Sequence, residues 1–336
     1  MIQEKELYRK IRFACHSESA EAFHLQSRIH RLRWFDRSDI WVKRDDELSF
    51  GVSGTKLRKH ASIIPSLQQK GIEEVVVIGG AHSNNVLSAA QTLTENSIKM
   101  TPFLLGPPPQ RTGNAKLLSL FFNEDEIHWI PRAEWSTCHN LANRYIEEKR
   151  SQGINIMLLP EGGHHESALP GALSLMVDIL RNEKESGVVF DHLFIDAGTG
   201  MVAQSLLAGA AALERKTTFH IVVLADSFTD FKSGLAQVIQ QTEKFLHLTI
   251  TTLPDHHLYY PSVAKSFGST NSTIFREIKR TAREDGILTD PVYSSKLFLT
   301  ARKTILEQTL QGNILLIHSG GALALSGFMD HPIFAS

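Results

Sequence analysis

Cysteine is almost missing from this chain: Cys15 and Cys138 are its only two, and they form neither a zinc-type spacing nor a disulfide framework. That scarcity implies a reducing compartment, and the first residues carry no apolar stretch of the kind that opens a secretory signal. An excess of either charge is missing as well. Lys and Arg together number 35 against 36 Asp and Glu, a net charge of -1. Nothing in that balance favours nucleic acid or an anionic membrane as a partner. No apolar run reaches the ~20 residues that a membrane helix needs, and no internal repeat is visible. The expectation is therefore a soluble, cytoplasmic protein whose partner is a small molecule. With 336 residues it has room for two domains, or for one large domain with an inserted lobe.

What the chain does contain is a recurring pattern of short apolar runs that stop at glycine or small polar residues. Residues 75–78 run into Gly79-Gly80, 156–159 into Pro160, 192–195 into Asp196, and 314–317 into His318. Such short Val, Ile and Leu runs predict strands of a parallel sheet buried on both faces. Between them lie helical patterns, among them 84–95, with Val86, Leu87, Ala90 and Leu93 on one side, and 170–183. Strand, turn and helix alternate, so the fold class is α/β with mostly parallel sheets and helices on both faces. In such folds the functional groups gather at the carboxyl ends of the strands. Residues 106–110 read as a rigid loop, and 285–291 as a helix end followed by a turn.

The turns are candidate anion sites. Gly79-Gly80-Ala81-His82-Ser83-Asn84-Asn85 ends a strand and opens a helix, where free N–H groups, a hydroxyl and two amides suit a carboxylate. Ser83 or Asn84 as a plain helix cap is an equally good reading of that turn alone. Asp196-Ala197-Gly198-Thr199-Gly200-Met201 offers a second site, suited to phosphate, although it lacks the third glycine of the dinucleotide fingerprint. Pro160-Glu161-Gly162-Gly163-His164-His165 and His318-Ser319-Gly320-Gly321 complete the set. His164-His165 and His256-His257 have no acidic partner at ligand spacing, so no metal is expected. His60 and His82 read as polar pocket or surface residues rather than acid–base catalysts. Ser83 lacks the nucleophile elbow of a serine hydrolase. Lys56, behind Gly54-Thr55 and ahead of Leu57-Arg58-Lys59, is the open case: a surface charge, a phosphate grip or a nucleophile. Arg58 and Lys59 could be a solvated helix face.

From about Val42 to Phe328 these features resemble, in order, the pyridoxal phosphate enzymes of the tryptophan-synthase-β-like fold (fold type II). Within them they are similar to the branch of 1-aminocyclopropane-1-carboxylate (ACC) deaminase and D-cysteine desulfhydrase. The residues that carry the resemblance are Lys43-Arg44-Asp45-Asp46, Gly54-Thr55-Lys56-Leu57-Arg58-Lys59 and Gly79-Gly80-Ala81-His82-Ser83-Asn84. Further along come Gly162-Gly163, the turn at Gly198 to Gly200, Leu288-Thr289-Asp290-Pro291-Val292-Tyr293, and His318-Ser319-Gly320-Gly321. The resemblance implies that the cofactor is pyridoxal 5'-phosphate and that Lys56 bonds to its aldehyde, then moves protons once substrate displaces it. A lysine becomes nucleophilic when its ammonium form is disfavoured by burial or by nearby cations, and Arg58 and Lys59 would serve if they reach it. The cofactor would act as electron sink for the substrate carbanion.

The same resemblance implies the other roles. Asn84 would bond the ring hydroxyl; Ser83, Asn84 and Asn85 would hold the substrate carboxylate; Lys59, Gly198, Thr199 and Gly200 would hold the phosphate. Tyr293 would face the substrate as an acid–base or positioning group, and Ser294 stands where the family places the partner of the pyridine nitrogen. The deaminases have glutamate there, so Ser294 implies a weaker electron sink, suited to losing a thiolate rather than opening a cyclopropane.

Four positions depart from the family pattern: Thr55 replaces an asparagine, His82 a glutamine, Phe267 a tyrosine near the substrate, and Met201 a hydroxyl residue at the phosphate. The function so implied is a lyase that takes a small amino acid, D-cysteine first, to pyruvate, ammonia and sulfide. The alternatives are ACC deamination to 2-oxobutanoate and ammonia, or a non-catalytic pyridoxal phosphate-binding regulator. The implied architecture is a discontinuous large domain, residues 1–58 and 167–336, with a small domain, 59–166, closing over the cofactor cleft, in a homodimer.

Overall fold

The computed structural model describes residues 2–49, 51 and 54–334. In chain order the elements begin with α1 (Glu4–Ala14), β1 (Ile29–Arg31), β2 (Ile40–Arg44), α2 (Thr55–Gln69), β3 (Glu74–Gly80), α3 (Asn84–Glu95) and β4 (Lys99–Leu105). They continue with α4 (Gly113–Leu118), β5 (His128–Ile130), α5 (Cys138–Ser151), β6 (Ile156–Leu159), α6 (Leu169–Ser186), β7 (His192–Ala197) and α7 (Met201–Ala212). The last are β8 (Thr218–Val223), α8 (Phe228–Leu246), β9 (His256–Tyr259), α9 (Ser272–Asp285), α10 (Ser294–Glu307) and β10 (Ile314–His318).

Two sheets result. One has the order β1-β2-β10-β7-β8-β9 and the other β5-β4-β3-β6. Every pairing is parallel except that of β1 with β2. The predicted strands are there: 75–78 lies inside β3, 156–159 is β6, 192–195 opens β7 and 314–317 fills β10. Val75, Val76, Val77 and Ile78 are all completely buried, because helices cover both faces of their sheet, and that is why their sequence does not alternate. Helix α3 spans the predicted 84–95, and α9 stops at Asp285 because Gly286 adopts a left-handed φ of 70°.

The strands of the second sheet lie between residues 74 and 159, and those of the first lie outside that interval. Helix α2 joins the two halves, and the implied boundary at residue 58 falls inside it. Gly171 of α6 permits the crossing of α2 and α6, since a Cβ there would stand 1.9 Å from the Arg58 carbonyl oxygen. Buried charge fixes the same junction. Arg58 Nε and Nη2 donate to Asp45 at 2.6 and 2.7 Å, and Nη2 also reaches Asp178 at 2.7 Å. Lys43 Nζ donates to Asp178 at 2.5 Å and to Asn182 at 2.7 Å. Burial opposes the Arg58 charge, but Asp45 and Asp178 outweigh it and its pKa rises. Arg58 and Lys59 are thus no solvated helix face: both are buried.

Candidate active site

The carboxyl ends of both sheets open into one cleft of about 900 Å³, with Lys56, Ser83, Asn84, Asn85, Asp196, Gly198, Thr199, Gly200 and Tyr293 in its walls. Lys56 gets there because α2 begins on the turn after β10. Gly54 caps the helix at φ 76° and ψ -141°, and a Cβ on it would lie 2.0 Å from the Ser319 carbonyl oxygen. Thr55 N–H donates to that same oxygen at 3.0 Å. The Gly-Thr pair before the lysine is therefore a docking joint, which a side chain at position 54 would block.

Lys56 Nζ approaches Thr55 Oγ1 at 3.4 Å and stands 5.6 Å from the centre of the Tyr293 ring. Its pKa is lowered by burial, with Asp196 and Asp290 pulling the other way. The expected help from Arg58 is absent, because that guanidinium is spent on Asp45 and Asp178. Lys59 does share the site. Its amine donates to Asn85 Oδ1 at 3.0 Å and to the Gly162 carbonyl, and burial followed by repulsion from Lys56 holds its pKa well below that of a free lysine. A depressed lysine in a cleft is a functional-site signature with a physical cause.

Around these amines the turns take their places. Ser83 caps α3, its Oγ accepting from Asn85 N–H at 3.1 Å and from Val86 N–H at 3.4 Å, so the capping role is real. Among the described residues no acceptor takes its own proton, and Ser83 lines the cleft. Asn84 Oδ1 accepts from Asn114 Nδ2 at 2.7 Å, which fixes the amide and leaves Asn84 Nδ2 beside Gly321. Gly200 caps α7 at φ 86°. Across the cleft Gly162 packs so tightly on Thr199 that a Cβ there would lie 2.0 Å from its Oγ1. The start of a buried twelve-residue helix thus meets a glycine turn from the other sheet, a cradle for an anion.

Asp290 organises the last wall. Its carboxylate accepts from the N–H groups of Val292, Tyr293 and Ser294 at 2.8, 2.9 and 2.9 Å, and from Ser294 Oγ at 2.7 Å. Ser294, fully buried, is committed to Asp290 and does not line the cleft, unlike its neighbour Tyr293. Burial, then Asp290 and Asp196, push the Tyr293 pKa up, so its phenol is a proton donor at neutral pH rather than a ready base. Phe267 lies edge-on to Tyr293, with ring centres 6.0 Å apart. His82 is exposed at the rim, whereas His60 is buried away from the cleft against Thr92 at 3.1 Å. Among the described residues no cluster could hold a metal ion.

Residues 24–320 match the family described as pyridoxal-phosphate dependent enzyme. The chain belongs to that family. Its relatives include a D-cysteine desulfhydrase from Serratia proteamaculans, 26% identical over 91% of this chain and 92% of that protein. An ACC deaminase from Rhizobium leguminosarum is 25% identical over 86% and 88%. Among solved structures, an ACC deaminase homologue superposes with a TM-score of 0.81 at 22% identity, covering 97% of this chain and 98% of that one, which shows the fold. The fold is that of the type II pyridoxal phosphate enzymes, as the motif order implies.

The cleft fits pyridoxal phosphate: it combines a depressed lysine, an anion cradle and buried polar atoms with no partner, namely Asn85 Nδ2, Asn114 Oδ1 and Asp196 Oδ1. Reading by motif missed two of those three residues. Asn114 sits in a short helix with no motif around it. Asp196 ends a strand and opens the turn read as a phosphate site, but the motif gives it no role of its own, although an acid closing a run of buried apolar residues is itself a signal.

Proposed function

We propose that this pyridoxal phosphate enzyme is a lyase acting on a small amino acid, with D-cysteine the leading substrate, giving pyruvate, ammonia and sulfide. The observation that carries this reading is Lys56: an amine docked by Gly54 and Thr55 at the cleft wall, disfavoured as an ammonium by burial, and facing Tyr293. When bound, the cofactor supplies an electron sink for the charge left on the substrate α-carbon. Lys56 would hold the cofactor through Nζ, and that amine would also be the base that takes the substrate α-proton. Thr199 and the Gly198 and Gly200 backbone receive the phosphate, with Lys59 bracing them through Gly162. A phosphate there would favour the charged form of Lys59, against the burial and the Lys56 repulsion that disfavour it. Asn84, its carbonyl held by Asn114, is left to donate through Nδ2 to the ring hydroxyl. The Ser83 proton and the start of α3, including Asn85, serve the substrate carboxylate. Tyr293 orients the substrate and gives a proton to the departing sulfur. Ser294 contributes by fixing the Asp290 cap under Tyr293.

ACC deamination is a second reading with one observation in its favour: Asp196 brings a carboxylate into the cleft that Ser294 does not provide. Phe267 counts against it, since it offers a ring without a hydroxyl. Residues 59–166 are proposed to close over the cleft, which small-angle scattering with and without substrate would detect. The working form is proposed to be a cytoplasmic homodimer; light scattering should return twice the chain mass. No described helix is long and apolar enough to cross a membrane.

The test of function is product release by the purified, cofactor-loaded protein. Pyruvate and sulfide from D-cysteine, with none from L-cysteine and no 2-oxobutanoate from ACC, is the expected result. Release of 2-oxobutanoate from ACC alone would transfer the assignment to the second reading. Silence with all three would remove both.

A further inference from the structure

Asp196 closes β7 inside the cleft wall, only 7% exposed, and its Oδ1 has no hydrogen-bond partner. The other carboxylate in the lining, Glu161, is partly exposed and engaged by His139 at 3.0 Å. Asp196 is thus the buried acid that the cleft leaves unspent. The groups acting on it come from several elements: Lys56 of α2, Ser319 and His318 at the end of β10, and Asp290 ahead of α10. Burial is the strongest influence and, with Asp290, pushes its pKa up, while Lys56, the Ser319 hydroxyl and His318 pull the other way.

Charge decides what such a group can face. The cofactor's phosphate and ring oxygen are anionic, and a buried carboxylate repels both. Its aldehyde carbon belongs to Lys56. On the pyridine ring the phosphate-bearing arm and the hydroxyl flank that carbon, so the nitrogen lies on the opposite edge, and once protonated it is the cationic point of the ring. We propose that Asp196 is the partner of the pyridine nitrogen in this chain, in place of Ser294, whose hydroxyl is tied to Asp290. A carboxylate at that point keeps the nitrogen protonated and strengthens the electron sink. The inference rests on pyridoxal phosphate binding at this cleft and goes beyond the proposed function: a stronger sink than the serine of the motif would give removes the serine's argument against ACC deamination, so it bears on the choice between the two readings.

The experiment reads the nitrogen directly. The protein is loaded with cofactor carrying 15N in the ring, and its 15N resonance is recorded for the wild type, Asp196→Asn, Asp196→Ala and Asp196→Glu. Retention is checked by borohydride trapping on Lys56. The expected result is a protonated nitrogen in the wild type, a shift to the unprotonated range in Asp196→Asn and Asp196→Ala, and recovery in Asp196→Glu. An unprotonated nitrogen in the wild type overturns the proposal without any variant, which keeps the test alive if a substitution prevents folding. An unchanged resonance in Asp196→Asn or Asp196→Ala overturns it too, and leaves Asp196 as the counter-charge of Lys56. Failure of the wild type to trap cofactor would instead overturn the reading beneath it, and the two failures are distinguishable.

Discussion

Replacing Gly54 by alanine should dislodge the start of α2 and take Lys56 with it. Two costs add at this position. A φ of 76° with ψ -141° is a region that only glycine occupies comfortably, which costs a residue with a Cβ ~1–3 kcal/mol. The Cβ would also meet the Ser319 carbonyl at 2.0 Å for oxygen and 2.5 Å for carbon, and the Gly320 Cα at 2.8 Å. These are backbone atoms that cannot rotate away, so overpacking adds ~1–3 kcal/mol. The sum, ~2–6 kcal/mol, is a large part of the ~5–15 kcal/mol that holds a typical domain together. Gly153→Ala is the control, because Gly153 has φ 84° but nothing within 4 Å of its Cβ; it should cost only ~1–2 kcal/mol of backbone strain. Urea unfolding gives the stabilities, and the visible absorbance of bound cofactor reports on Lys56. A Gly54→Ala protein as stable as Gly153→Ala, with wild-type cofactor absorbance, would refute the docking argument.

Lys56→Ala should lose turnover and borohydride trapping of the cofactor while keeping its far-ultraviolet dichroism; turnover at the wild-type rate would remove Lys56 from the mechanism. Asp290→Ala leaves three N–H donors and a hydroxyl without their acceptor, so it should destabilise the fold by ~1–3 kcal/mol or more and lower kcat by freeing Tyr293, as thermal melts and kinetics can check. Burial, then Lys59, lowers the His60 pKa to about 3. The unfolded chain takes up a proton below ~6.5 and the folded chain does not, so stability should fall with acidification across that window, by up to ~1.4 kcal/mol per pH unit. His220, also lowered to about 3 by burial, contributes alike, so His60→Leu should roughly halve their joint slope in melts at pH 7 and 5.

The strands that sequence reveals are those whose neighbours cover both faces. β3, β6, β7 and β10 are plain apolar runs ending in a turn, and α3 is bounded by its own serine cap. Strand β2 is harder to see, because its Ile-Trp-Val-Lys-Arg ends in charges that look solvated; Lys43 is in fact fully buried on Asp178 and Asn182. Strand β4 is interrupted by Pro102, and β1 and β5 are three residues each, too short to show a period. At the site, the turns that carry Lys56, Ser83, Asn84, Gly200 and Tyr293 are legible and converge on one cleft. Residue spacing cannot tell which way a side chain leaves its helix. Arg58 lies two residues from Lys56 yet serves a different charge cluster, and Ser294 follows a cleft residue yet points into a cap. Asp196 and Asn114 acquire meaning only when strand ends distant in sequence are brought together.

The position of β10 between β2 and β7 has a consequence for the order in which the protein is made. A ribosome releases Lys56 early, but the carbonyl that seats its helix belongs to Ser319. Until residues 314–319 emerge, β2 has no partner linking it to β7, and the start of α2 has no seat. The small sheet, whose strands all lie between residues 74 and 159, has no such wait. Synthesis therefore delivers Lys56 long before the strand end that seats its helix, and the cleft wall around that amine can form only after residues 314–319 have emerged.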